Sequence, residues 1–156
     1  AKLISWIKNE EELMQFAGPQ FQFPLTAKQI TDSLKDKNRF AFKVVEVEIS
    51  KTIGYAELYL KENSFMLARI LVGDVGLRGK GYGKVIVKQL LDFGFSNFDK
   101  TIAELNVFDW NVHAIRCYEK VGFKTDPHIR LERKVGDKIW VAIRMKLHKD
   151  DYRLLE

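Results

Sequence analysis

A short glycine-rich segment, Arg-Gly-Lys-Gly-Tyr-Gly-Lys at residues 78–84, is the part of the sequence best suited to bind an anion. Glycine lets the backbone adopt positive φ and approach a ligand without a Cβ in the way. The segment lies between a predicted strand and a predicted helix, where free N–H groups and the helix dipole favour a negative group. The pattern therefore predicts a phosphate-binding loop made of Arg78, Gly79, Lys80, Gly81, Tyr82, Gly83 and Lys84.

This loop does not match two common nucleotide-binding patterns. A Walker loop needs Ser or Thr after Gly83-Lys84, where Val85 stands, and glycine at the position of Arg78. A dinucleotide fingerprint that starts at Gly79 needs its third glycine where Lys84 stands. On this motif alone, a glycine-rich turn that merely joins a strand to a helix stays open as an alternative.

A second segment with chemical potential follows at residues 106–123. Asn111 is well placed as the N-cap of a helix, and Tyr118 lies seven residues later, so both point to nearly the same face. Gly122 is expected to end this helix. The structural alternatives are a simple helix cap for Asn111 and a core tyrosine with a satisfied hydroxyl for Tyr118.

Together the two segments resemble the cofactor-binding motifs of the GNAT superfamily of acetyl-coenzyme A-dependent N-acetyltransferases. The pattern R-x-x-G-x-G at residues 78–83 is similar to the family's pyrophosphate-binding signature. The pattern N-x-x-A-x-x-x-Y-x-x-x-G-F at residues 111–123 is similar to its second conserved segment. The resemblance covers residues 53–123 well, the expected cofactor-binding core, and is only general for the rest of a single domain at 1–156.

The resemblance also implies roles for residues outside the loop. In this family the strands equivalent to residues 65–72 and 101–108 splay apart, and the pantetheine arm of coenzyme A enters between them. Tyr118 stands at the family's general-acid position, and a backbone N–H near Val72 would steady an oxyanion. The implied contacts to the cofactor arm and the neighbouring cap are Leu71, Val72, Asn106 and Asn111.

The general base is not identified by the resemblance. Some branches of the family carry a glutamate on the strand before the phosphate loop, where this chain has Arg69, and another branch has it where Asn106 stands. Glu57, Asp74 and Glu104 remain as possible bases, and the sequence favours none of them. A non-catalytic sensor that binds acyl-coenzyme A is therefore the alternative function.

The elements that must position these residues follow from the hydrophobic pattern. Alternation and turn signals predict seven strands and four helices, that is, an α/β fold with a mixed, mostly antiparallel sheet. A strand–helix–strand unit over 65–108 implies two parallel strands, which is the GNAT arrangement. The predicted strands are 2–7, 39–49, 53–61, 65–72, 101–108, 129–135 and 138–147, and the predicted helices are 9–16, 26–37, one from the loop to about 95, and 111–121.

Composition sets wide limits on partners and location. The net charge of +5 suits an anionic partner, but the basic residues are dispersed, which disfavours nucleic acid as the primary partner. The single cysteine, Cys117, fits a reducing cytosol, and no metal site, membrane span or secretion signal is expected. We expect a cytoplasmic monomer or homodimer that acts on a small-molecule amine or a peptide.

Overall fold

The computed structural model describes residues 2–154, which form a mixed sheet with helices on both faces. Six strands and six α-helices are present within these residues, with 3-10 turns at Gly18–Gln20 and Val75–Leu77. In chain order the elements are α1 (Lys2–Trp6), α2 (Glu10–Ala17), α3 (Ala27–Ser33), β1 (Arg39–Glu46), β2 (Lys51–Leu60), β3 (Phe65–Val72), α4 (Tyr82–Asn97), β4 (Ile102–Phe108), α5 (Val112–Val121), β5 (Lys124–Val135), β6 (Lys138–His148) and α6 (Lys149–Leu154).

The strands are arranged in the order β1-β2-β3-β4-β6-β5. All neighbouring strands are antiparallel except β3 and β4, which are parallel and are connected by the crossover helix α4. The mixed sheet and its parallel pair confirm the fold class predicted from the sequence. The β5–β6 hairpin turns at Gly136, whose φ of 59° is the left-handed conformation that favours glycine.

The predicted first strand at residues 2–7 is wrong, because Lys2–Trp6 is a helix. The sheet therefore has six strands among residues 2–154, not seven. Leu3, Trp6 and Ile7 recur at the i, i+3, i+4 spacing of a helix face, and Ile7 is buried in a small core with α2. Trp6 also lies so close to Gly73 that a Cβ at Gly73 would overlap its ring.

The predicted helices 9–16 and 26–37 both form, and each begins at a side chain that caps its N-terminus. Asn9 Oδ1 accepts from Glu12 N–H at 2.8 Å, and Thr26 Oγ1 accepts from Gln29 N–H at 3.2 Å. The Gln29 side chain does not bond back to the N-cap. It accepts from the N–H of Gln22 and donates to the carbonyls of Gln22 and Pro24. Helix α3 ends at Ser33, four residues before the predicted end, and the β1–β2 turn lies at 47–50 rather than 50–52.

Two hydrophobic cores lie on opposite faces of the sheet. The main core packs α4 and α6 against the sheet around Phe65, Leu91 and Met145, all fully buried. The smaller core packs α1–α3 against β2 and β3 around Leu13 and Phe16. The C-terminal segment joins the main core, because Tyr152 of α6 is buried and its hydroxyl donates to Asp92 Oδ1 at 2.7 Å.

A bulge in β3 changes which side chains face the smaller core. Between the pairs Glu57–Ala68 and Tyr55–Leu71, two β3 residues oppose one residue of β2. Arg69 in this bulge has a φ of 50°, a left-handed conformation that costs roughly 1–2 kcal/mol for a residue with a Cβ. Because of the bulge, Arg69 faces the α1–α3 side of the sheet and not the main core that holds Leu67.

Within residues 2–154, none of the helices combines the length and the apolar character needed to cross a bilayer. The same residues bring no three His, Cys, Asp or Glu side chains together in a group that could hold a metal ion.

Candidate functional site

The parallel pairing of β3 and β4 is short. It joins Phe65–Leu67 to Ala103–Leu105 and goes no further, although β3 continues to Val72 and β4 to Phe108. Beyond Leu105 the two strands separate, so the β4-facing backbone groups of residues 68–72 lack a partner in that strand. The splay expected from the sequence is therefore present, and it leaves an open strand edge inside the sheet.

A cleft of about 860 Å³ occupies this gap. One wall comes from the end of α2, from α3 and from the strand face that carries Arg69. Asn111 and Tyr118, at α5 on the opposite face of the sheet, also line it. The cleft thus reaches both faces of the sheet through the splay, so two molecules approaching from opposite sides can meet there.

The glycine-rich loop follows the 3-10 turn Val75–Leu77 after β3 and runs into the start of α4. Gly79 and Gly81 have φ values of 76° and 87°, which explains why glycine is required at both positions. A Cβ at Gly79, Gly81 or Gly83 would meet no atom of residues 2–154 within 4 Å, so the loop faces open space. Gly81 is the N-cap of α4, and no side chain among residues 2–154 caps this N-terminus, which leaves its first N–H groups free to bind an anion.

Charged side chains flank this loop. Arg78, Lys80 and Lys84 are exposed, and Arg78 Nε donates to the Val72 carbonyl at 2.8 Å, which ties the loop to the end of β3. The interaction with Glu46 raises the pKa of the Tyr82 phenol. The arrangement can bind a diphosphate through backbone donors and lysine side chains.

Helix α5 forms as predicted and carries Tyr118 to the cleft. Asn111 Oδ1 accepts from Ala114 N–H at 3.4 Å, and Gly122 ends the helix with a φ of 117°. The Tyr118 ring packs edge-on against Phe123, and within residues 2–154 no group bonds its hydroxyl. Burial raises the pKa of Tyr118 to about 12, so the phenol keeps its proton at neutral pH.

Cys117 is not activated as a nucleophile. Burial raises the pKa of its thiol, and the positive charges of Lys84 and Lys120 offset this only in part. The influence of Lys84 on Cys117 also shows that the loop end of α4 lies near α5.

The remaining predicted residues lie at the two sides of the splay. Asn106 lines the cleft and its Oδ1 accepts from Arg144 Nε at 3.0 Å, which leaves the amide NH₂ available. Leu71 and Val72 are half-buried at the end of β3, which pairs with β2 but not with β4, and they lie outside the cleft lining. The N–H of Gly73 donates to the Ile53 carbonyl at 2.8 Å, so the chain has no free donor at that position.

The three carboxylates considered as bases all have cationic partners. Glu57 is 1% exposed and contacts Arg39 at 2.7 Å, Arg69 at 3.2 Å and the Tyr55 hydroxyl at 2.5 Å. Burial raises the pKa of Tyr55 well above its usual range, and the bond to Glu57 adds to the effect. Burial also lowers the pKa of Arg69, an effect that Glu57 opposes.

Glu104 and Asp74 are similarly engaged. Burial alone would raise the pKa of Glu104, but the hydrogen bond and charge of Lys61, at 3.0 Å, hold it below its ordinary value. The hydrogen bond from Lys51 and the N–H of Gly76 lower the pKa of Asp74. The lowered pKa values of Glu104 and Asp74 make both carboxylates weaker bases than an ordinary carboxylate.

The buried cluster around Glu57, formed with Arg39, Arg69 and Tyr55, is not among the features predicted from the sequence. Its signal was the appearance of charged residues at inward positions of apolar strands, Glu57 in β2 and Arg69 in β3. The cluster extends to the small helices, because Arg69 also donates to Gln20 Oε1 at 2.6 Å and to Ser33 Oγ at 2.8 Å. It joins the wall of the cleft on the α2–α3 side.

Solved structures with the same fold include enzymes of known activity. The spermidine N-acetyltransferase from Vibrio cholerae, in complex with CoA and spermine, superposes with a TM-score of 0.78 and is 20% identical over 97% of this chain and 90% of that one. Mutant forms of the spermidine/spermine N-acetyltransferase SpeG from Vibrio cholerae give a TM-score of 0.70 at 22% identity over 81% and 74% of the two chains.

The family model described as "Acetyltransferase (GNAT) family" matches residues 6–123, which include both motifs and the splayed strands. This match spans most of the chain and agrees with the fold. The chain therefore belongs to the GNAT family of acetyltransferases, enzymes that use acetyl-coenzyme A to acetylate amines.

Proposed function

We propose that this protein transfers the acetyl group of acetyl-coenzyme A to a primary amine of a small molecule or of a peptide N-terminus, by direct attack. The observation that carries the proposal is the cleft, which passes through the splayed sheet with the phenol of Tyr118 on one side. Bound acetyl-coenzyme A would supply the acetyl thioester.

The residues present fit this cofactor. The open, positively flanked loop at 78–84 suits its pyrophosphate, because the glycines leave room for close approach to backbone N–H groups. The unpaired edge of residues 68–72 suits the amide-containing pantetheine arm, which can bond a strand as an added strand would. Asn106 and Asn111 lie at the other side of the gap, where their positions allow further contacts.

The proposed role of Tyr118 is that of general acid. The amine nitrogen forms a bond to the acetyl carbon, the carbon–sulfur bond breaks, and the phenol gives its proton to the departing sulfur. The proton that nitrogen loses afterwards returns through water, so the phenol is restored. Because the pKa of Tyr118 is about 12, the phenol is protonated at neutral pH and can donate its proton to the departing sulfur.

The acceptor must arrive as a neutral amine, and the buried carboxylates beside the cleft are committed to cations. Both Glu57 and Glu104 have cationic partners within hydrogen-bonding distance. We therefore propose that the amine loses its proton to solvent before attack, which favours amines of low pKa. An α-amino group, with a pKa of about 8, meets this need far better than an alkyl amine of about 10.4.

Replacing Tyr118 with phenylalanine should lower kcat by about 100-fold, because the ring stays packed while the proton donor is lost. The dissociation constant of coenzyme A, measured by calorimetry, should change by less than about twofold. Tyr152→Phe, which removes a distant hydroxyl on α6, is the matched control and should keep normal turnover. Unchanged turnover in Tyr118→Phe would remove the general-acid role.

Replacing Gly81 with valine should abolish detectable binding of coenzyme A, because the new side chain enters the space in front of the loop and strains a left-handed residue. Gly136→Val, which introduces a comparable strain in the β5–β6 hairpin, should still bind the cofactor. Normal affinity in a folded Gly81→Val variant would contradict the assignment of the loop.

The pH dependence tests the absence of a protein base. With two acceptors whose amines have pKa values of about 8 and about 10, log(kcat/KM) should rise with pH and level off near each acceptor's own pKa. For the acceptor of lower pKa, the plateau should persist to about pH 10, since Tyr118 remains protonated there. An additional inflection at the same pH for both acceptors would show that a group of the protein acts as base.

A further inference from the structure

Arg39, at the start of β1, has an unused hydrogen-bonding edge in the cleft wall. Its side chain is only 10% exposed, and its Nη1 donates to Glu57 Oε1 at 2.7 Å. The buried Nε has no acceptor among residues 2–154, and Nη2 likewise donates to none of them. Nε and Nη2 form one side of the planar guanidinium, the side that binds both oxygens of a carboxylate. A buried donor without a partner is costly, so this edge suits an incoming acceptor group.

The cleft on this side of the sheet carries an excess of positive charge. Two carboxylates lie behind the cleft wall, and each of them pairs with two cations. Each set of one carboxylate and two cations therefore retains one uncompensated positive charge. Glu57 is shared by Arg39 and Arg69, and Glu104 by Lys61 and Arg144.

A fifth cation of the lining, Arg133, donates to the Glu132 carbonyl and has no carboxylate partner within residues 2–154. Two acidic residues of α3 and its end also line the cleft, but Asp32 is bound by Lys28 at 2.5 Å and Lys35 at 3.0 Å. Asp36 alone adds an uncompensated negative charge. The surplus is positive, which opposes a polycationic acceptor and attracts an anionic one.

We propose that the acceptor is an amine that also carries a carboxylate, bound by the free edge of Arg39 while the amine reaches the acetyl group. This inference rests on the proposed function and narrows its substrate class. Both a free amino acid and a peptide with an acidic side chain near its N-terminus present this chemistry. Spermidine, which the related Vibrio enzymes acetylate, lacks it and is repelled by the surplus charge.

The experiment compares matched acceptors with purified protein and acetyl-coenzyme A, with thiol release as the readout. The pairs are L-alanine against L-alaninamide, compared at equal concentrations of neutral amine, and the C-terminally amidated tripeptide Ala-Glu-Gly against amidated Ala-Gln-Gly, with spermidine as the cationic probe. Within at least one pair, the acidic acceptor should have a kcat/KM about tenfold higher, the worth of one charged hydrogen bond. The pair with the larger ratio distinguishes a free amino acid from a peptide.

Variants test whether the cleft cations cause this preference. Arg39→Lys keeps the charge beside Glu57 but loses the two-donor edge, so the acidic-to-neutral ratio should fall about tenfold toward one. Arg133→Gln should lower the same ratio severalfold without disturbing the buried cluster. Lys134→Gln, which removes an equal charge from the adjacent residue outside the cleft lining, should leave the ratio unchanged.

A ratio, unlike a rate, is insensitive to a loss of folded protein, so poor folding of Arg39→Lys would not mimic the result. Equal rates within both pairs, or a higher kcat/KM for spermidine than for every acidic acceptor, would overturn the inference while leaving amine acetylation standing. Tight binding of coenzyme A without thiol release from any acceptor would overturn both proposals and favour the sensor.

Discussion

The early end of the parallel pairing between β3 and β4 is the constraint on which the whole site depends. A sheet interior normally satisfies every backbone donor and acceptor, yet here β3 runs on for five residues without a partner in β4. The separation opens the cleft, exposes a strand edge to a ligand and connects the two faces of the sheet. Without this separation of the strands, Tyr118 on one face of the sheet and the buried cluster around Glu57 on the other would not border the same cleft.

The same strand that opens the cleft also sets the character of its acceptor side. The bulge at Arg69 turns a cation toward the smaller core, where Glu57 holds it together with Arg39. The Glu57 carboxylate accepts hydrogen bonds from both guanidinium groups and from the Tyr55 hydroxyl, so its oxygens are already engaged. Because hydrogen bonds within the cluster engage the Glu57 carboxylate, we propose that the acceptor amine loses its proton to solvent.

Much of this arrangement was readable from local patterns. The loop at 78–84 and the helix from Asn111 to Gly122 were predictable because glycine conformation, helix capping and hydrophobic period are properties of neighbouring residues. Strand β3 has the predicted bounds, Phe65–Val72, since its turn signals flank it closely. The roles of the site residues in catalysis and cofactor binding remain predictions.

The features that the sequence did not predict depend on contacts between segments that are far apart in the chain. Residues 2–7 were assigned to a strand because a short apolar run fits either structure, and the packing of Trp6 on Gly73 decides for the helix. The ion pairs of Glu57 join β1, β2 and β3, and although charged residues in apolar strands are a signal of such a cluster, the bulge that turns Arg69 toward Glu57 depends on the pairing of β3 with β2. The acceptor side of the cleft was therefore hidden, although the cofactor side was not.

A crystal structure of the protein with bound coenzyme A tests the central claim most directly. The account predicts the pantetheine arm between residues 68–72 and 106–108, the pyrophosphate on the backbone of residues 78–84, and the sulfur beside the Tyr118 hydroxyl. Coenzyme A bound at another surface, with the gap between β3 and β4 closed or empty, would contradict it.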